Sequence, residues 1–160
     1  MLLIDGYNVL FKTVRKPVDG RRLAEERDAL VERIARHCAA TRRTARIFFD
    51  PKRGGGTGFD RIRKLPPIEV VQLAEVSADD AIRAIVESGA DRTAYRVVSS
   101  DREVATAAKK RSFETMPAEE FLAEMDRHEA GTPDEKPEGC GPDAVRYWMD
   151  QFGYGKGGPT

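Results

Sequence analysis

Apolar residues along this chain fall into two patterns, short near-continuous runs and longer stretches where they recur every three or four positions. Met1 to Ile4, Ala45 to Phe49, Ile68 to Leu73 and Tyr95 to Val98 are runs, each predicted to be a strand, and Phe113 to Met116 is a weaker fifth. Asp5-Gly6 reads as a turn closing the first strand, Asp50-Pro51 closes the second, and the turn-like Pro66-Pro67 precedes the third. Between the runs, Leu23, Leu30, Val31, Ile34 and Cys38 share one helical face from Arg21 to about Thr41. Ile82, Ile85 and Val86 mark a helix opened by Ser77 and ended near Gly89. An alanine-rich helix runs to about Arg111, and Pro117 opens a last one carrying Phe121, Leu122 and Met125.

Strands alternating with helices imply βαβ crossovers and a mostly parallel sheet covered on both faces. Near-continuous apolar strands agree, because both faces of such a strand are buried. The expectation is one α/β domain over residues 1 to about 126. From 127 to 160 the composition changes. Gly131, Pro133, Pro137, Gly139, Gly141 and Pro142 read as a linker. A short helix with Val145, Trp148, Met149 and Phe152 on one stripe follows, then a glycine-rich end expected to be mobile. The stripe is too apolar to stay in water, so it is expected to dock on its own domain or a sister chain, with a partner protein as the alternative.

Charge and cysteines narrow the class. Of 160 residues, 27 are acidic and 27 basic, so any nucleic-acid contact must come from a local patch. Cys38 and Cys140 lie far apart and suit a reduced protein better than a disulfide framework. There is no basic leader before the first apolar run and no stretch of membrane-spanning length, so the expectation is a cytoplasmic protein away from membranes.

In open parallel sheets, ligands bind outside the carboxyl ends of the strands. Asp5 follows the first run, Asp50 the second, Asp79 and Asp80 the third, and Asp101 the fourth. Gathered on one edge, these carboxylates repel and raise one another's pKa, and a divalent cation removes that penalty. Hard oxygen ligands suit Mg²⁺ or Mn²⁺, and such a site acts on phosphodiesters. Helix capping is the competing explanation. Ser77-Ala78-Asp79-Asp80 and Ser100-Asp101-Arg102-Glu103 both fit capping boxes, which accounts best for Asp80 and Glu103, and Asp50-Pro51 is a common turn pair.

Leu3-Ile4-Asp5-Gly6-Tyr7-Asn8-Val9, Phe48-Phe49-Asp50, Ala78-Asp79-Asp80 and Val98-Ser99-Ser100-Asp101 together resemble the YacP-like branch of the NYN domains, in the PIN-like nuclease superfamily. The resemblance implies a three-layer α/β/α fold and Mg²⁺- or Mn²⁺-dependent endoribonuclease activity on mRNA, in contact with the ribosome. It implies that Asp5, Asp79 and Asp101 form the metal-binding core, with Asp50 and Asp80 as further candidate ligands. Asn8 would orient substrate or a metal-held water, and Ser100 would bond a carboxylate or phosphate. The products would carry 5′-phosphate and 3′-hydroxyl ends. One position departs from the pattern. Relatives often carry an acid one helical turn after Asp79, where this chain has Arg83, so a fourth carboxylate would have to come from Asp80 or Glu87.

A basic stretch holds Arg42, Arg43, Arg46, Lys52, Arg53, Arg61, Arg63 and Lys64, with the loop Gly54 to Gly58 inside it. Lys52, Arg53, Arg61 and Arg63 are the expected guides for single-stranded RNA, because phosphate contacts supply most sequence-independent affinity. Solvated surface charge is the rival reading. No Gly-Lys-Ser/Thr follows the loop, and no G-x-G-x-x-G follows the first strand, so nucleotide-binding loops are excluded. Tyr7 is expected to pack rather than stack a base, and His37 and His128 to be solvated and inert. The alternatives to a nuclease are a catalytically weak RNA-binding or ribosome-associated module on the same fold and, last, a receiver-like domain, which needs an acidic pair that Asp5-Gly6 does not supply.

Overall fold

The structure is a computed structural model and describes residues 1–14, 19–51 and 59–131. The expected linker beyond Gly131, the short helix with Trp148 and the glycine-rich end lie outside the described residues, as do Lys52, Arg53 and the loop Gly54 to Gly58.

The strands are β1 (Leu2–Asp5), β2 (Ala45–Phe49), β3 (Arg61–Leu65), β4 (Ile68–Gln72), β5 (Arg96–Val98) and β6 (Glu114–Met116). They form one sheet in the order β3-β4-β2-β1-β5-β6, parallel except for β3. The helices are α1 (Gly6–Thr13), α2 (Gly20–Thr41), α3 (Ala78–Glu87), α4 (Arg102–Lys110) and α5 (Ala118–Gly131). Alternation along the strands sorts the core into two halves. Ile4, Ile47, Phe49, Ile68 and Val98 pack under α1, α2 and α5. Leu3, Phe48, Val71 and Val97 pack under α3 and α4 on the other face. The expected three-layer α/β/α fold with a mostly parallel sheet is therefore the observed one. Among the described residues, no helix is long and apolar enough to cross a membrane.

Several local expectations are corrected. Asp5-Gly6 is no turn: α1 starts directly at the end of β1 with Asp5 as its N-cap. A Cβ at Gly6 would lie 2.5 Å from the Phe49 ring, so glycine is needed there for close packing rather than for turning. The cap of α4 is Asp101 instead of Ser100, with its side chain accepting from the Glu103 and Val104 amides. β3 was hidden because four of its five residues are exposed on a charged sheet edge, which leaves no apolar run to see. It pairs with β4 across the Pro66-Pro67 turn. The last helix continues to Gly131, past the expected boundary near 126, because Arg33 of α2 binds both Asp126 and Glu129 on it. His37 is buried rather than solvated, its ring edge-on to Phe121 and to His128 of α5.

Candidate active site at the carboxyl edge of the sheet

Parallel strands bring their carboxyl ends, and the N-termini of the helices that follow, to one edge. α1, α3 and α4 all begin there, which directs the positive ends of three helices at the same region. The chain leaves β1 towards β2 on one side, while β5 lies on the other, so the strand order reverses at β1.

Asp5 sits at that point and is buried. Its Oδ1 accepts from the Asn8 amide at 3.2 Å, which fixes the carboxyl at the start of α1. Asp79, in the first turn of α3, comes within hydrogen-bonding reach of it. Burial foremost, then the contact with Asp79 and the charges of Asp79 and Asp50, push the Asp5 carboxyl up to about 8. Ionised, both members of the pair are acceptors. Asp79 Oδ1 is accordingly buried with no hydrogen-bond partner. A proton or a cation between the two carboxyls relieves both defects. Asp50 stands beside them, and its Oδ1 accepts from the Ala78 amide at 2.6 Å, which ties the end of β2 to the start of α3.

On the other flank, Asn8 Oδ1 accepts from the Ser100 amide at 2.9 Å, clipping α1 to the loop after β5. The Ser100 hydroxyl donates to Glu119 and accepts from the Ala118 amide at 2.9 Å. Glu119 is also 2.9 Å from Lys12, and Ser100, then Lys12, hold its carboxylate down at about 2. Glu119 was missed in the sequence because it sits in an unremarkable Glu119-Glu120 pair at a helix start, where the macrodipole already explains an acid. Its only signal is a position just after β6, the strand beside β5.

The structure thus joins Asp5 with Asp79 and sets Asp50 beside them. Asp101 lies after the neighbouring strand β5, with its carboxylate on the Glu103 and Val104 amides at 2.8 and 3.2 Å. Among the described residues, no three acidic, histidine or cysteine side chains are close enough to hold a metal ion together. Asp80 is exposed and bonded to Arg83, which also reaches Glu103 of α4 at 3.8 Å. Arg83 therefore bridges α3 and α4 in place of a further acid, and Glu87 lies exposed at the end of α3. Tyr7 packs, as expected: its ring is stacked on Phe11 and edge-on to Phe49.

The basic stretch divides between the two sheet edges. Arg42 and Arg43 precede β2 at the opposite edge, and Arg43 pairs with Glu124. Arg46 pairs with Glu69 across β2 and β4. Because β3 is antiparallel, Arg61 is in register with Gln72, at the same edge as the aspartates.

A family model described as the YacP-like NYN domain matches residues 2–139. Solved structures similar to the chain include two of one protein. One is Rae1 (YacP) from Bacillus subtilis, 22% identical, with a TM-score of 0.61 over 98% of this chain and 85% of that one. The other is its W164L mutant, 22% identical, with a TM-score of 0.63 over 81% of this chain and 77% of that one. At such identity the likeness shows the fold. No curated protein matches.

Proposed function

Because the chain belongs to the YacP-like NYN domain family, whose nuclease-like character supports a ribonuclease-type function, we propose that it is a metal-dependent endoribonuclease acting on single-stranded RNA, mRNA included. One observation carries this reading: an acid pair at the carboxyl edge of a parallel sheet, buried Asp5 with half-buried Asp79, whose Oδ1 is itself buried and unpartnered. A fold gains no stability from such a pair, and hard oxygen donors with a missing positive partner fit Mg²⁺ or Mn²⁺.

Asp5 and Asp79 would hold the cation, with Asp50 and Asp101 at its rim. Such an ion supplies charge neutralisation at the phosphoryl group and lowers the pKa of a bound water. Asn8 uses its side-chain carbonyl on the Ser100 amide and keeps its N–H donors for a phosphoryl oxygen. The N-termini of α1, α3 and α4 favour the substrate's negative charge. Arg61 and Arg63 guide the RNA backbone along the same edge.

The test is cleavage of single-stranded RNA with Mg²⁺ or Mn²⁺ by wild type, Asp5→Asn and Asp79→Asn. Loss in both variants and on addition of EDTA is the expected result. Equal cleavage by all three proteins would overturn the assignment. The second reading, an RNA-binding module with little catalysis, is favoured by Asp101 lying on its own helix amides and by Arg83 at the position of a further acid. RNA binding with no cleavage in either metal would select it.

A further inference from the structure

We propose that a small cleft between α2 and the β3–β4 hairpin is a second phosphate-binding subsite, which takes a backbone phosphate of the RNA strand at a fixed distance from the Asp5–Asp79 pair. The proposal rests on the nuclease reading for its ligand, though not for its geometry.

The cleft has a volume of about 70 Å³ and is lined by Arg27 and Asp28 of α2, Arg61 and Arg63 of β3, Gln72 of β4 and the edge of Phe49. One water needs about 10–15 Å³ of such space, so the cleft admits a group the size of a phosphate. Arg61 and Arg63 are two residues apart on a strand and share a face, while Ile62 between them faces away and is exposed. Charged residues on an edge strand commonly serve only to block aggregation. That explanation does not reach Arg27, which comes from a different layer and is mostly covered.

Three contacts fix the Arg27 guanidinium. It lies 5.5 Å from the centre of the Phe49 ring. Its Nη1 donates to Gln72 Oε1 at 3.3 Å, and its Nε is 3.7 Å from Asp28. A guanidinium ordered before binding loses little freedom when an anion arrives. Arg27, Arg61 and Arg63 line the cleft together, so a phosphate seated there would meet guanidinium groups from two layers of the fold.

The same residues join the cleft to the acid pair. Gln72 Nε2 donates at 2.7 Å to the backbone carbonyl of Asp50, whose side chain holds the amide before Asp79. Phe49, beneath Arg27, presses on Gly6, the residue after Asp5. One wall therefore serves both sites, and an RNA strand crossing the carboxyl edge passes from one to the other.

The experiment measures binding of fluorescein-labelled uridine oligomers of increasing length to the full chain carrying Asp5→Asn, across a salt series. The expected result is a step in affinity at the length that first reaches the cleft. Arg61→Gln with Arg63→Gln should remove the step, weaken longer oligomers roughly tenfold and lower the salt slope by about one to two. Arg27→Lys keeps the charge but loses the fork, and should weaken the same oligomers while leaving the shortest ones unchanged. Affinities and slopes equal to those of the parent would overturn the subsite, as would absence of any RNA binding by the parent. Failure of the nuclease reading looks different: wild type would not cleave in any metal, yet the arginine-dependent step would persist.

Discussion

Asp5 and His37 are buried to the same degree, 6% and 5% exposed, on opposite sides of the logic of burial. Asp5 is surrounded by its own sign, with Asp79 in contact and Asp50 nearby. His37 lies between α2 and α5 with Nε2 3.3 Å from Glu124, and Glu124 in turn binds Arg43 at 2.8 Å. Burial foremost lowers the His37 pKa, opposed by Glu124 and reinforced by His128 and Arg43. Burial thus favours the neutral histidine, with an acid rather than a like charge facing it, although neither ring nitrogen has a hydrogen-bond partner. The aspartate is held where only a proton or a cation makes it comfortable. A buried ionisable group set among like charges, and left unsolved by the fold, is a mark of a working site.

The largest expected difference between the two regions is catalytic. Asp5→Asn or Asp79→Asn should lower metal-dependent RNA cleavage by roughly a thousandfold or more, whereas His37→Gln should leave it within about twofold. Initial rates on a single-stranded oligomer check both.

Next comes stability without metal, where the two groups have opposite pH slopes. Asp5 is raised from 3.8 to about 8, so its protonated form favours the fold. That contribution is complete below about pH 4 and is lost as pH rises through 8. The metal-free chain should therefore melt lower at pH 8 than at pH 5, with Asp5→Asn several degrees more stable than wild type at pH 8, on the order of 3–6 °C. Asparagine still caps α1, so the gain reads the charge alone. Added Mn²⁺ should stabilise wild type and leave the variant unmoved. Thermal melts across pH give the answer.

His37 should show the reverse. Its folded pKa lies below 6.5, so its contribution is present above pH 6.5 and lost as pH falls through the folded value. His37→Gln should flatten the acid side of the melting curve by about 2 °C or less while leaving the alkaline side unchanged. A flat acid limb in wild type would remove the contrast with Asp5. The smallest effect belongs to Arg83. Replacing it by glutamate restores an acid one turn after Asp79, yet Arg83 binds Asp80 and Glu103 rather than the Asp5–Asp79 pair, so cleavage should change by less than about twofold.

Short apolar runs and period-three-to-four patterns carried most of the architecture, because strands buried on both faces and helices with one buried stripe leave strong traces. What they missed depends on contacts distant in sequence. β3 has no apolar run because β4 and the charged edge support it. α1 has eight residues, too few for a clear period, and its start is set by Phe49 pressing on Gly6. In the site, Asp5, Asp50 and Asp79 were legible as acids after strands, since the parallel sheet sends them to one edge. Glu119 and Arg27 were not. Glu119 joins through Ser100, 19 residues away, and Arg27 through Gln72, 45 residues away, and no local spacing encodes either.

β1 precedes the other strands in the chain yet occupies the middle of the sheet, with Ile4 in register with Ile47 on one side and Val98 on the other. At about 5–20 residues per second of synthesis, that second neighbour arrives seconds after the first strand has left the ribosome. Asp79 and the Ser100 clip arrive in the same late portion of the chain. Partial products of translation therefore carry Asp5 without its partners in the sheet and on α3.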